Sequence, residues 1–254
     1  MIGYKKQAER GNILFIILIA VALFATLSYT VTQTGGHSGS QLTRANAGPI
    51  ADDLILFASS VEKSVVRMVQ RGVSENDLCF DYDDSITTGY EHAGCATLDN
   101  RVFAPEGGGV VWKLPQTAAL DPSLSSNPFY GEWFVSAARV LELGTTCSDQ
   151  SCSELILFLP YVDISVCEQI NRRLDIPFES GNLPLDGGFA MRYEANGQYA
   201  GAITGLTFNG GTIIATDNDP ALNILSGRKG ACFESDAEPT PSGSFHFYYV
   251  ILPR

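Results

Sequence analysis

Histidine is nearly missing from this chain: His37, His92 and His246 are the only three in 254 residues. So few imidazoles leave little material for a histidine-based metal centre or a serine–histidine–acid constellation. There is no G-x-S-x-G elbow, no Walker-type phosphate loop, and no G-x-G-x-x-G opening a helix; Gly107–Gly109 reads as a turn. Basic residues are also in short supply, 16 against 28 acidic ones, for a formal net charge of -12. A chain so acidic repels phosphate backbones, so nucleic acid is not an expected partner. With no motif for catalysis, neither enzyme activity nor a cofactor is expected.

What the sequence does have is one long apolar run. Ile13–Thr32 holds 20 residues without a charge, and a helix of that length spans about 30 Å, the thickness of a bilayer's hydrocarbon core. Lys5, Lys6 and Arg10 precede it with Glu9, a net charge of +2, whereas the rest of the chain carries -14. By the positive-inside rule the N-terminus stays in the cytoplasm and everything after Thr32 lies outside the inner membrane, periplasmic or extracellular. A cleaved secretory signal has a shorter apolar core with a small-x-small site beyond it, but here Ala20–Ala22 sits in the middle of the run. The expected division is a basic leader at 1–11, a transmembrane helix at 12–32, a flexible Gly/Ser/Thr-rich linker at 33–48 holding a solvated His37, and an extracytoplasmic domain at 49–254.

Arg10-Gly11 lies directly before the apolar run. A short basic leader ending in glycine, followed by an uninterrupted hydrophobic helix, resembles the N-terminus of type IV prepilins and type II secretion pseudopilins. The resemblance covers about 25 residues. It implies cleavage between Gly11 and Asn12, packing of the exposed helices in a filament core, and a following helix laid across the face of a β-sheet. Family members usually carry Glu at the fifth mature position, where this chain has Ile16; minor, tip-type members often lack it, so the implied role is that of a minor subunit.

Six cysteines, Cys79, Cys95, Cys147, Cys152, Cys167 and Cys232, all follow the apolar run. An even number on the oxidising side of a membrane reads as disulfides. Zinc is the competing reading, but Cys147-x4-Cys152 has no matching second pair, and no metal site is expected. Six cysteines allow fifteen connectivities, of which the most sequence-local pairs Cys79 with Cys95, Cys147 with Cys152, and Cys167 with Cys232.

From Pro49 to Gly72 apolar residues recur at steps of three and four: Ile50, Leu54, Phe57, Ala58, Val61, Val65, Met68 and Val69. This predicts an amphipathic helix with Pro49 in its first turn and Arg71-Gly72 as its stop. Short apolar or aromatic runs then predict strands at 101–104, 109–114, 133–143, 155–160, 188–193, 200–208, 211–215 and 245–252, with hairpin signals at Asn196–Gln198 and Asn209–Gly211 and one more helix at Ile164–Leu174. The expected fold class is α+β: the transmembrane helix, the amphipathic helix, then a mainly antiparallel β domain with disulfides. The aromatics of NPFYGEWF and FHFYY are expected in the core, with Phe245, Phe247 and Tyr249 on one strand face.

Two acidic clusters stand out, Glu75, Asp77, Asp81, Asp83 and Asp84 in one and Asp217 and Asp219 in the other. A calcium loop starting at Asp81 fails, because Ile86 takes its glycine position and His92 its terminal glutamate. These carboxylates therefore read as solvated loop residues. The expected function is non-enzymatic: a minor pilin-like or pseudopilin-like subunit of a filament or secretion apparatus, with the lipid bilayer and similar subunits as partners. The alternative is a single-pass anchored envelope protein whose outer domain binds a ligand or partner.

Overall fold

A computed structural model of the chain describes residues 38–86, 88–140, 142–144, 154–186, 213–214, 224–235 and 241–253, together with Ile17, Ile19, Val21 and Leu23. It divides into two units, Met1–Ala45 and Asn46–Arg254. In the first, Ile17, Ile19, Val21 and Leu23 are helical and exposed. No helix among the described residues is long and apolar enough to cross a membrane; the rest of the expected 12–32 span lies outside the described residues, as do Gly11 and Asn12.

Helix α1 runs from Ser38 to Gln70 with Pro49 inside it. It starts eleven residues earlier than Pro49, so residues 38–48 of the expected linker are helical. A proline keeps a helical φ, and what it loses is the N–H that the carbonyl four residues back, on Ala45, would accept. Alanine, leucine and arginine among residues 42–47 favour the helix and outweigh Gly39 and the serines. The far end is as expected. Gly72 takes φ 96°, its N–H donates to the Val69 carbonyl and that of Val73 to the Met68 carbonyl, a left-handed glycine termination that satisfies the last carbonyls.

The predicted stripe lies on the buried face of α1, except that Val69 at its end is only partly buried. Ala47, Ile50, Ala51, Leu54, Phe57, Ala58, Val61, Val65 and Met68 are all buried, in one cluster with Val135, Leu155, Leu157, Leu159, Phe247 and Ile251 of the sheet. Tyr249 donates to Glu62, and Lys229 pairs with the same carboxylate, tying the helix to the sheet.

The six strands described are β1 (Phe134–Val140), β2 (Glu154–Leu159), β3 (Leu185–Asp186), β4 (Ile213–Ile214), β5 (Gly230–Ser235) and β6 (Ser244–Leu252), in the order β3-β5-β6-β2-β1-β4. The central four are antiparallel to their neighbours; β3 and β4 add short parallel pairings at the two ends. Both faces are buried. On one side Leu155, Leu157, Phe247 and Tyr249 meet the helices, and on the other Phe134, Ile156, Phe158, Phe233, Tyr248 and Val250 form a second cluster. Alternation along β6 follows the pleat, with Phe245, Phe247 and Tyr249 on the helix side as expected.

Helix α2, Ile164–Arg173, is capped by Asp163, which accepts from the Ser165 N–H. It presents Cys167 and, one turn on, Asn171 to β5. The Asn171 amide donates to the Cys232 carbonyl and accepts from the Cys232 N–H, both at 2.8 Å. At the opposite side of the central four strands, the Tyr90 hydroxyl accepts from the Val135 N–H of β1 at 3.0 Å.

Two expected strands are absent. Residues 101–104 hold only one isolated bridge, Cys79 to Arg101, and residues 109–114 form no ladder. This segment packs on α1 instead: the Gly108 carbonyl accepts from Ser64 and Arg67, and the Gly107 carbonyl from Arg71. A Cβ on Gly108 would stand 2.2 Å from the Ser64 hydroxyl, so the glycine turn permits a close approach to the helix. Trp112 stacks on Tyr82 at 4.2 Å and meets Phe57 of α1 edge-on. The strands expected at 188–193 and 200–208, both hairpin signals and most of 211–215 lie outside the described residues.

Candidate functional site

The disulfide pairing Cys79–Cys95 is present, with its Cα atoms 5.1 Å apart, and so is Cys167–Cys232, at 5.3 Å. Cys147 and Cys152 lie outside the described residues. The first bond closes the loop that carries Asp81, Asp83 and Asp84 of the larger acidic cluster, and there the structure forms an open cavity of about 500 Å³ lined by Asp81, Asp84, Glu91, His92, Cys95 and Arg101, among others.

Local turns build its walls. Cys79 is held by its N–H donating to the Asn100 carbonyl and its carbonyl accepting from the Val102 N–H, both at 2.9 Å. His92 caps the short 3-10 turn Ala93–Ala96: its Nδ1 accepts from the Gly94 N–H at 3.0 Å, and its Nε2 lies 2.9 Å from the Leu78 carbonyl. A nitrogen that accepts carries no hydrogen, so the imidazole hydrogen sits on Nε2 and points at Leu78. Gly94 is fixed by closeness: a Cβ there would stand 2.6 Å from the Asp77 carbonyl oxygen.

Arg101 braces the cavity from the other side. Its Nε donates to the Cys95 carbonyl at 2.9 Å, and its Nη1 reaches Asp84 at 2.5 Å and Asp81 at 3.9 Å. Most of the cluster's carboxylates are thus engaged. Asp81 also accepts from the Thr88 hydroxyl, Asp83 from the Ser85 N–H and hydroxyl. The Ser85 hydroxyl first, then its N–H, holds the Asp83 carboxyl below its ordinary range. Burial pushes the Glu91 carboxyl up, but backbone N–H groups, those of Thr88 and Gly89 among them, outweigh that and leave it lowered. Glu75 and Asp77 belong to a 3-10 turn capped by Ser74; Asp217 and Asp219 lie outside the described residues.

The ligand atoms of Cys79, His92 and Cys95 all lie within 4.8 Å of one another. This grouping was not read from the sequence, although the spacing Cys79-x12-His92-x2-Cys95 carried it. Arg101 and Tyr90 were not singled out either: Arg101 acts through irregular turns that leave no motif, and Tyr90 bonds to Val135, 45 residues on.

His246 is a different case. It is fully buried among Phe158, Tyr161 and Phe233, with its Nε2 2.9 Å from the Ser244 hydroxyl. Burial pushes its pKa down to about 3, so the ring is neutral. Ser244 is itself buried, and among the described residues His246 Nδ1 has no hydrogen-bond partner, so no carboxylate orients the pair as a catalytic constellation requires. No known family model, no curated protein and no solved structure matches this chain.

Proposed function

We propose that this protein is a non-enzymatic, minor pilin-like or pseudopilin-like subunit, anchored N-in by residues 12–32 with its α+β domain outside the inner membrane. One observation carries the reading: α1, the helix that follows the expected membrane segment, lays its buried stripe on an antiparallel sheet, as the resemblance implies. Disulfides in the domain suit an oxidising compartment. The exposed apolar residues Ile17, Ile19, Val21 and Leu23 suit a helix that meets lipid or other apolar helices. The partners on this reading are the bilayer and similar subunits.

The second reading, an anchored envelope protein that binds a ligand, is favoured by the cavity beside Cys95. Intact-mass measurement of the membrane-extracted chain separates the two. The subunit reading expects a mature chain beginning at Asn12; a chain still carrying residues 1–11 overturns it and leaves the anchored binder.

A further inference from the structure

We propose that Cys79, Cys95 and His92 form a redox-gated binding site for zinc or a similar borderline divalent cation, closed while the disulfide stands and opened when a dithiol reduces it. Two thiolates and an imidazole are a donor set that such a cation takes in tetrahedral geometry. Their ligand atoms are already clustered within 4.8 Å, so little movement is needed to bring them around one ion.

The imidazole is held in place by a backbone contact at each ring nitrogen. Its Nε2 hydrogen points at the Leu78 carbonyl, the outer contact that fixes a ligating histidine's tautomer. Nδ1 presents its lone pair toward the Gly94 N–H, one residue from Cys95. To bind the metal through Nδ1, the ring gives up the Gly94 N–H and turns that lone pair to the ion. The frame does not depend on the S–S bond alone, since Cys79 is held through Asn100 and Val102 and the Cys95 carbonyl through Arg101. Cys95 lines the open cavity but is only 5% exposed, and Cys79 is fully buried, so the reductant and the ion reach the sulfurs from the cavity when its wall opens locally, and the cavity leaves room for water as fourth ligand.

The chemistry balances as thiol–disulfide exchange. A thiolate of the dithiol attacks the Cys95 sulfur and releases Cys79 as thiolate; the second thiol then displaces Cys95 from the mixed disulfide, and the dithiol leaves as its own cyclic disulfide. The protein gains two electrons and two protons, and the cation expels those two protons when both sulfurs bind it.

The test uses the full chain in detergent carrying Cys147→Ser and Cys152→Ser, reduced with a dithiol, desalted without oxygen and titrated with cobalt(II) as the spectroscopic stand-in for zinc. The expected result is one cobalt per chain, with thiolate-to-cobalt charge-transfer absorption and the strong ligand-field bands of a tetrahedral site. The unreduced chain should show neither. His92→Gln removes a direct ligand and should weaken binding at least as much as loss of an outer contact does, about tenfold or more, Cys79→Ser with Cys95→Ser should abolish it, and Cys167→Ser with Cys232→Ser should preserve it. Absence of the bands overturns the proposal. So does binding that survives His92→Gln unchanged, the signature of thiols in an unfolded chain, or binding that follows Cys167 and Cys232.

Discussion

Asn171 and His246 show how much a single buried side chain carries in this domain. The Asn171 amide makes both of its bonds to one residue, Cys232. Replacing it with alanine leaves a buried N–H and a buried carbonyl without partners, so Asn171→Ala should cost about 2–4 kcal/mol. Urea unfolding measures this, and a loss below about 1 kcal/mol would show that water reaches the gap. For His246 the sign follows from its pKa, about 3 in the folded chain against about 6.5 unfolded. Below pH 6.5 the unfolded chain takes up a proton that the folded one refuses, so stability falls progressively from there toward pH 3. Lowering the pH from 7.5 to 4.5 should remove on the order of 2–3 kcal/mol through this residue. His246→Gln should lose correspondingly less over that interval; equal losses would assign the acid sensitivity to other groups.

At the scale of the element, α1 offers an internal control. Leu54 is buried and Leu56, two residues on, is 67% exposed. Leu54→Ala should cost about 2–5 kcal/mol, while Leu56→Ala should stay within about 0.5 kcal/mol; similar costs for both would contradict the face assigned to the helix. This stripe was legible in the sequence because eight apolar residues keep one period, and a period survives whatever the helix packs against. β1, β2 and β6 were legible from their largely apolar and aromatic runs. β5 was not, since Gly230 and Ala231 are poor strand formers and the strand is held by its neighbours and by Asn171. Residues 109–114 misled in the opposite direction: Val110, Val111 and Trp112 have strand chemistry, but the glycine turn before them is bonded to α1, and Trp112 packs beside Phe57 and Tyr82. The candidate site was half legible. Two of the three suggested cysteine pairs are bonded, whereas the approach of His92 to its pair depends on a 3-10 turn that leaves no periodic trace.

For the whole domain, the two described disulfides close loops of unequal length, with separations of 16 and 65 residues. In the chain-entropy account the longer one restrains the unfolded chain more, by about 1 kcal/mol. Cys167→Ala with Cys232→Ala should therefore destabilise more than Cys79→Ala with Cys95→Ala when thermal midpoints are compared in the oxidised protein. The reverse order would mean that the walls of the cavity depend on their bond more than on Arg101. The sheet carries a further consequence. Every residue of β2 from Glu154 to Leu159 is buried, because neither face of its sheet is wet. A strand with one solvated face keeps alternate positions free to drift over generations, and this one keeps none. Among the described residues, heritable change has more room on the outer face of α1, where Leu56 lies, and where the chain turns, around Asp83 to Ile86 and Val111 to Leu114, so a surface that comes to recognise a new partner is more readily assembled from these than from the central strands.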